Sequence, residues 1–123
     1  CLLCQDKKAK ERLLQRFLFP LWDGEQHPDP LALIDFLTAI RQRVPHRKRA
    51  SPLLLHCSSG GIGQMGTLVA LDSLLHQLRA EKSVDVFGVV LRLMKSCCLM
   101  TPTLDQYMFL YTCIRDILAQ RQP

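Results

Sequence analysis

The segment of this chain best suited to chemistry is a cysteine followed by a glycine-rich turn: His56-Cys57-Ser58-Ser59-Gly60-Gly61-Ile62-Gly63-Gln64-Met65-Gly66-Thr67. The short apolar run before it, Leu53-Leu54-Leu55, suits a buried strand. The stripe after it, Leu68, Leu71, Leu75 and Leu78, has helical spacing. A strand, a glycine turn and a helix start aim successive backbone N–H groups at one point, and the helix N-terminus adds partial positive charge. Together they make a cradle for an oxyanion. The same field favours the thiolate of a cysteine at its centre. A nucleophile at the base of a phosphate cradle is the arrangement that cysteine-based phosphoryl transfer needs.

This stretch resembles the signature loop of the protein tyrosine phosphatases, in which His-Cys is followed by five residues, then Arg, then Ser or Thr, then Gly. The likeness extends along the chain. Phe17-Leu18-Phe19 with Trp22 resembles the strand leading into that family's mobile acid loop. Val84-Asp85-Val86-Phe87-Gly88 resembles the helix after the signature helix. Met100 to Tyr107, with Phe109-Leu110-Tyr111, resembles the glutamine loop and final helix. The resemblance covers residues 1–123 in matching order and implies the C-terminal half of one α/β phosphatase-type domain. Its helices are expected to pack on a mixed sheet whose other strands lie N-terminal to this chain. The family's N-terminal half, with its substrate tyrosine-recognition loop, has no counterpart in this sequence.

The departures from the family pattern decide the functional expectation. Six residues past Cys57 stands Gly63, and if Gly60-Gly61 contains a one-residue insertion the equivalent position is Gln64. Neither supplies the arginine whose fork holds phosphate and stabilises the equatorial oxygens of the transition state. Gln offers no bidentate cationic contact. Met65 follows, so the hydroxyl that would support the thiolate is missing. The family's Trp-Pro-Asp reads Trp22-Asp23-Gly24 here, which puts the general acid on Gly24 and leaves Asp23 as a displaced acid one residue early. In the glutamine loop the first Gln position is Pro102, while Gln106 is kept, and Cys97 stands where the family usually has an arginine.

The resemblance with these changes implies a catalytically inactive, pseudophosphatase domain with a regulatory or binding role in phosphotyrosine signalling. Inactive domains of this kind resemble the second, membrane-distal domain of receptor-type tyrosine phosphatases. The implied setting is the cytoplasmic side of a single-pass membrane receptor. The implied partners are proteins, among them an active phosphatase domain of the same or another receptor, and not nucleic acid. No cofactor or metal is implied. Cys57 is then a vestigial nucleophile, and Ser58, Ser59, Gly60, Gly61, Ile62, Gly63 and Gln64 form the phosphate loop. The rival readings are an active or weakly active phosphatase using a Cys57 phosphocysteine, a redox-responsive domain acting through Cys57, and a decaying copy. His56 is read as a structural hydrogen-bond partner rather than a base.

The elements that must position these residues follow from spacing. Leu13 to Phe19 reads as a strand with Phe17 and Phe19 on one face. Gly24, Pro28 and Pro30 mark a loop, and Asp29-Pro30 is a helix start with Asp as N-cap. Leu33, Phe36, Leu37, Ile40 and Val44 line the helix that Pro45 ends. Ser83 can cap the next helix but one, where Val84, Phe87, Leu91 and Met94 align. Thr103 and Gln106 make a capping box for the last helix, whose inner face carries Tyr107, Leu110, Tyr111, Ile114 and Leu118.

Composition sets the remaining bounds. With 123 residues and 48% apolar content the chain can build a packed core. No apolar run approaches the roughly 18 residues that span a bilayer. The chain does not begin with Met and has no signal-like stretch between Cys1 and Glu11, so it reads as a fragment of something longer. The net charge of +5 owes much to His46-Arg47-Lys48-Arg49, read as a solvated loop, with a patch for acidic partners or headgroups as the functional alternative. The six cysteines, Cys1, Cys4, Cys57, Cys97, Cys98 and Cys113, show no paired zinc spacing and are read as reduced thiols.

Overall fold

Helices begin where a side chain can accept from the first free N–H groups. Asp29 does so for α1 (Pro30–Arg43), accepting from the Ala32 N–H at 2.9 Å, while Pro30 fills the first helical position. The helix ends at Val44, whose N–H bonds the Ile40 carbonyl just before Pro45. The next helices are α2 (Ile62–Glu81), α3 (Val86–Ser96) and α4 (Leu104–Gln120). Two short strands precede them, β1 (Leu2–Gln5) and β2 (Glu11–Leu14). The computed structural model describes residues 2–5, 11–20, 22, 26–44, 53–57, 62–97, 100 and 102–120. Asp23, Gly24, Ser58, Ser59, Gly60, Gly61, Cys1, Cys98 and the basic run 46–49 lie outside the described residues.

The core is helical. α2 packs on both α3 and α4, and α1 packs on α4. A helix flanked on two sides must bury a wide arc, and α2 buries Thr67, Ala70, Leu71, Leu74, Leu75 and Leu78. Leu33 and Leu37 of α1 join them, with Val86, Val89 and Val90 of α3 and Phe109, Leu110, Cys113, Ile114 and Ile117 of α4. The Arg41 guanidinium holds the Asp72 carboxylate with two nitrogens, tying α1 to α2 at the surface.

The mixed sheet expected from the resemblance is not seen among the described residues, whose strands β1 and β2 form a two-stranded antiparallel hairpin, with Leu2 opposite Leu14 and Gln5 opposite Glu11. Other expectations are corrected. The strand expected over Leu13 to Phe19 is therefore strand only through Leu14, and residues 15–19 carry no pairing. Leu53-Leu54-Leu55 is neither strand nor buried; the three are 50%, 87% and 36% exposed. A strand needs a neighbour for its backbone groups, and none among the described residues reaches this one.

α3 is capped by Asp85, not Ser83. The Asp85 carboxylate accepts from the Gly88 N–H at 2.8 Å. A Cβ at Gly88 would press on that carboxylate, so glycine there lets Asp85 keep this position without shifting. The face of α3 is also turned from the expected one: Phe87, Leu91 and Met94 are exposed, while Val86, Val89 and Val90 are buried. On α4 the inner face is turned towards Phe109, Cys113 and Ile117, leaving Tyr111 and Leu118 exposed.

Candidate functional site

α2 starts at Ile62, so Ile62, Gly63 and Gln64 form its first turn. Gly63 and Gly66 lie one turn apart, and both serve close packing. A Cβ on Gly63 would sit 2.5 Å from Gln106 Oε1, and one on Gly66 would sit 3.0 Å from the Met100 carbonyl oxygen. The glycines thus let residues 100–106 lie against the start of α2. This brings the glutamine segment and the cysteine-proximal helix together.

The described parts of the site are sparse in catalytic groups. Cys57 is half-buried as a free thiol. His56 is exposed and makes no hydrogen bond among the described residues, which corrects its reading as a structural partner. Thr67 is fully buried, and its hydroxyl donates to the Gly63 carbonyl at 2.8 Å. The first hydroxyl of α2 is therefore engaged by its own helix. No arginine occurs between Cys57 and Leu78. Arg79 comes 15 residues after Gln64, roughly 22 Å along the helix at 1.5 Å per residue.

The glutamine segment forms its capping box in full. The Gln106 N–H donates to Thr103 Oγ1 at 3.2 Å, and the Thr103 N–H donates to Gln106 Oε1 at 2.9 Å. That bond fixes the side-chain oxygen of Gln106 on its own helix start. Pro102 just before it has no side-chain amide to offer.

The acid segment is anchored from both ends by one side chain that the sequence reading left unassigned to it. The Trp22 ring lies 6.3 Å from that of Phe109. The His27 ring stacks on the same phenyl at 4.6 Å and 11°. Both His27 ring nitrogens are buried without a hydrogen-bond partner among the described residues. Phe109 thus pins the chain on either side of Asp23 and Gly24. Helical spacing alone marks Phe109 only as a core residue, so nothing local in the sequence gives this away.

Two ionisations are displaced. Burial pushes the Cys113 thiol up to about 12, with the Asp116 carboxylate adding to it. The Tyr107 hydroxyl, 3.1 Å from that of Tyr111, is held above the usual tyrosine value chiefly by that hydrogen bond. Among the described residues no three His, Cys, Asp or Glu side chains gather to hold a metal.

Residues 2–116 match the sequence profile of the protein-tyrosine phosphatase family. The chain belongs to that family. It is 38% identical over 110 residues to receptor-type tyrosine-protein phosphatase eta of Homo sapiens, covering 89% of this chain and 8% of that protein. The mouse (Mus musculus) eta protein is 40% identical over 117 residues, covering 94% of this chain and 9% of the relative. Receptor-type tyrosine-protein phosphatase V of Rattus norvegicus is 38% identical over 118 residues, covering 95% and 7%. The chain therefore spans less than a tenth of the length of these relatives. Among the described residues, no helix of this phosphatase-family chain is long and apolar enough to cross a membrane.

Proposed function

We propose that this chain is the C-terminal part of a catalytically silent receptor-type tyrosine-phosphatase domain. The observation that carries the reading is the lack of any arginine from Cys57 to Leu78. Even with a cysteine nucleophile, phosphoryl transfer depends on positioned positive charge at the equatorial oxygens of the transition state. Backbone N–H groups alone can hold an oxyanion but cannot supply the charged fork. The displaced Asp23, the Gly24 in the acid's place and the Gln106 oxygen committed to its cap point the same way. A domain that keeps its packing without its chemistry is suited to regulation, by contact with an active phosphatase domain or with other signalling proteins. The receptor-type relatives favour a cytoplasmic setting in a single-pass receptor.

The reading includes a mixed sheet completed by strands N-terminal to this chain. Leu53–Leu55, exposed ahead of Cys57, are where those strands would pair. Amide hydrogen exchange at these three residues should be fast in the chain alone and slow once a family N-terminal half is fused to it. Equal rates in both would remove the sheet from the proposal.

The function is tested by hydrolysis of a small aryl phosphate, with Cys57→Ser as the blank and far-UV circular dichroism establishing the helices first. The fused form should show no turnover above the blank. Turnover that depends on Cys57 would overturn the reading in favour of an active phosphatase.

A further inference from the structure

His27 is a titratable side chain held where its charge has no counterpart. Its ring lies flat on the Phe109 phenyl, with 4.6 Å between centroids and planes 11° apart. Both ring nitrogens are buried with no hydrogen-bond partner among the described residues. A neutral imidazole has one N–H and one acceptor nitrogen to satisfy, whereas an imidazolium has two N–H groups and a full charge. The face of a phenyl ring attracts a cation, which favours the charged form in this position. That is a single contact, and it is outweighed by stripping water from a charge and two donors at once. The stack therefore suits the neutral ring, and protonation works against it.

The surroundings give a protonated ring somewhere to go. His27 lines an open groove of about 540 Å³ with Gln26, Asp105, Met108, Phe109 and Thr112. Among these lining residues Asp105 alone carries a fixed charge. It lies exposed in the first turn of α4, and its carboxylate has no partner among the described residues. On the α1 side the nearest carboxylate in sequence, Asp29, is engaged by the Ala32 N–H. Pro28 is buried and Asp29 caps α1, so the chain stays fixed just behind His27 and the ring is the part free to swing. Trp22 meets the same phenyl and packs at the edge of the core. Loss of the imidazole from Phe109 therefore weakens the seat of the indole as well.

We propose that His27 is a protonation-controlled latch. The neutral ring, stacked on Phe109, holds Trp22 and His27 against α4, and the protonated ring leaves that stack for the groove and the Asp105 carboxylate. The released form binds one more proton, so falling pH favours it. The two anchors flank Asp23 and Gly24 in the sequence, so acid loosens the hold on either side of them.

Trp22 is the single tryptophan of the chain, so its emission reports the latch without a label. Followed from about pH 8 to about pH 5, the range over which histidine ordinarily changes charge, the emission maximum should move to the red in one step. Far-UV circular dichroism should stay constant, because the helices remain formed. His27→Phe keeps an aromatic ring on Phe109 with nothing to titrate, and should remove the step while His46, His56 and His76 remain. Asp105→Asn withdraws the charged acceptor for the released ring and should move the midpoint to lower pH. A wild-type emission that does not change with pH overturns the proposal. So does a step that persists in folded His27→Phe, a midpoint that does not fall in Asp105→Asn, or a step that coincides with loss of the helices. If His27→Phe fails to fold, proton NMR of the wild-type chain decides. The imidazole resonance that is lost in His27→Gln should then titrate at the midpoint of the Trp22 step, and a different midpoint overturns the latch.

Discussion

The first turn of α2 and the three turns behind it belong to one helix but obey different constraints. From Ala70 to Leu78 every core-facing position is a well-packed aliphatic residue, and Leu71 and Leu74 are wholly buried. From Cys57 to Thr67 the family's arginine and neighbouring hydroxyl are gone, and the preceding leucines stand in solvent. Packing and phosphate chemistry are thus separable demands on one element. A side chain that meets only phosphate can be exchanged without cost to the core, whereas one that meets Leu110 or Cys113 cannot. Gly63 and Gly66 belong to the packing side of this division, because they admit residues 100–106 against the helix.

The sharpest way to break the comparison is to repair the chemistry on unchanged packing. Loss of a positioned electrostatic donor typically costs about 10² to 10³ in rate. Loss of a general acid costs about 10² to 10⁴. The combined deficit is on the order of 10⁴ to 10⁷, without strict additivity because the groups act as one unit. In the N-terminally completed domain, Gln64→Arg alone should leave aryl phosphate hydrolysis at the Cys57→Ser level. Deleting Gly61 together with Gln64→Arg, Met65→Thr and Gly24→Asp should produce Cys57-dependent turnover. Turnover from the single change would mean that the first turn was never short of more than one group.

The converse change touches packing only. Leu71→Ala or Leu110→Ala empties a fully buried site, and such truncations cost about 2–5 kcal/mol. Urea unfolding should show that loss as a lower midpoint with an unchanged slope. Gln64→Ala, by contrast, should shift the midpoint by less than half as much. Equal losses at Gln64 and Leu71 would erase the division between the two parts of α2.

The division also explains what was legible in the sequence. The caps of α1 and α4 were readable because Asp29-Pro30 and Thr103–Gln106 act over three residues of chain. The α2 stripe was readable because burial on two sides leaves a run of leucines. On α3 spacing leaves the inner face open for a physical reason: one wide apolar arc takes in both the valines and Phe87, Leu91 and Met94, so periodicity alone does not choose between its two parts. Asp85 displaced Ser83 as cap because Gly88 leaves room for the carboxylate, a three-dimensional fact. The hairpin of Leu2–Gln5 with Glu11–Leu14 has too few residues for alternation to register. The clamp of Trp22 and His27 on Phe109 joins residues more than eighty apart, which no local pattern encodes.

Cysteine reactivity gives an intermediate test. Cys57 and Cys97 are half-buried, whereas Cys113 is fully buried. Brief iodoacetamide treatment near neutral pH with mass-spectrometric mapping should label Cys57 first and Cys113 last, by a wide margin. Because the Cys113 thiol is raised from 9.0 to about 12, the folded chain holds its proton over a range where the unfolded chain releases it. The stabilisation is fully present below pH 9.0 and is lost as pH rises towards 12. Cys113→Ala should therefore flatten the alkaline arm of the stability profile while lowering stability at neutral pH. Labelling of Cys113 ahead of Cys57 would mean that the core behind α2 opens more readily than the cysteine turn in front of it.

The smallest effect concerns the residue that stands on the border between packing and chemistry. By family resemblance Gln106 belongs to the water-handling loop, yet its side-chain oxygen accepts from the Thr103 N–H at 2.9 Å. If that cap is its whole role, Gln106→Ala and Thr103→Ala should each cost about 1 kcal/mol, the usual loss for one side of a helix cap. The double variant should cost less than the sum, because either change alone already breaks the reciprocal pair. Gln106→Glu keeps the acceptor and should retain most of the stability. Gly63→Ala should act through the same contact, since its Cβ would press on the Gln106 amide and loosen the box without touching Thr103. Thermal unfolding of the five proteins against wild type measures all of this. Strict additivity of Thr103→Ala and Gln106→Ala would show that the glutamine does not act through the cap, and would return it to the chemical side of the molecule.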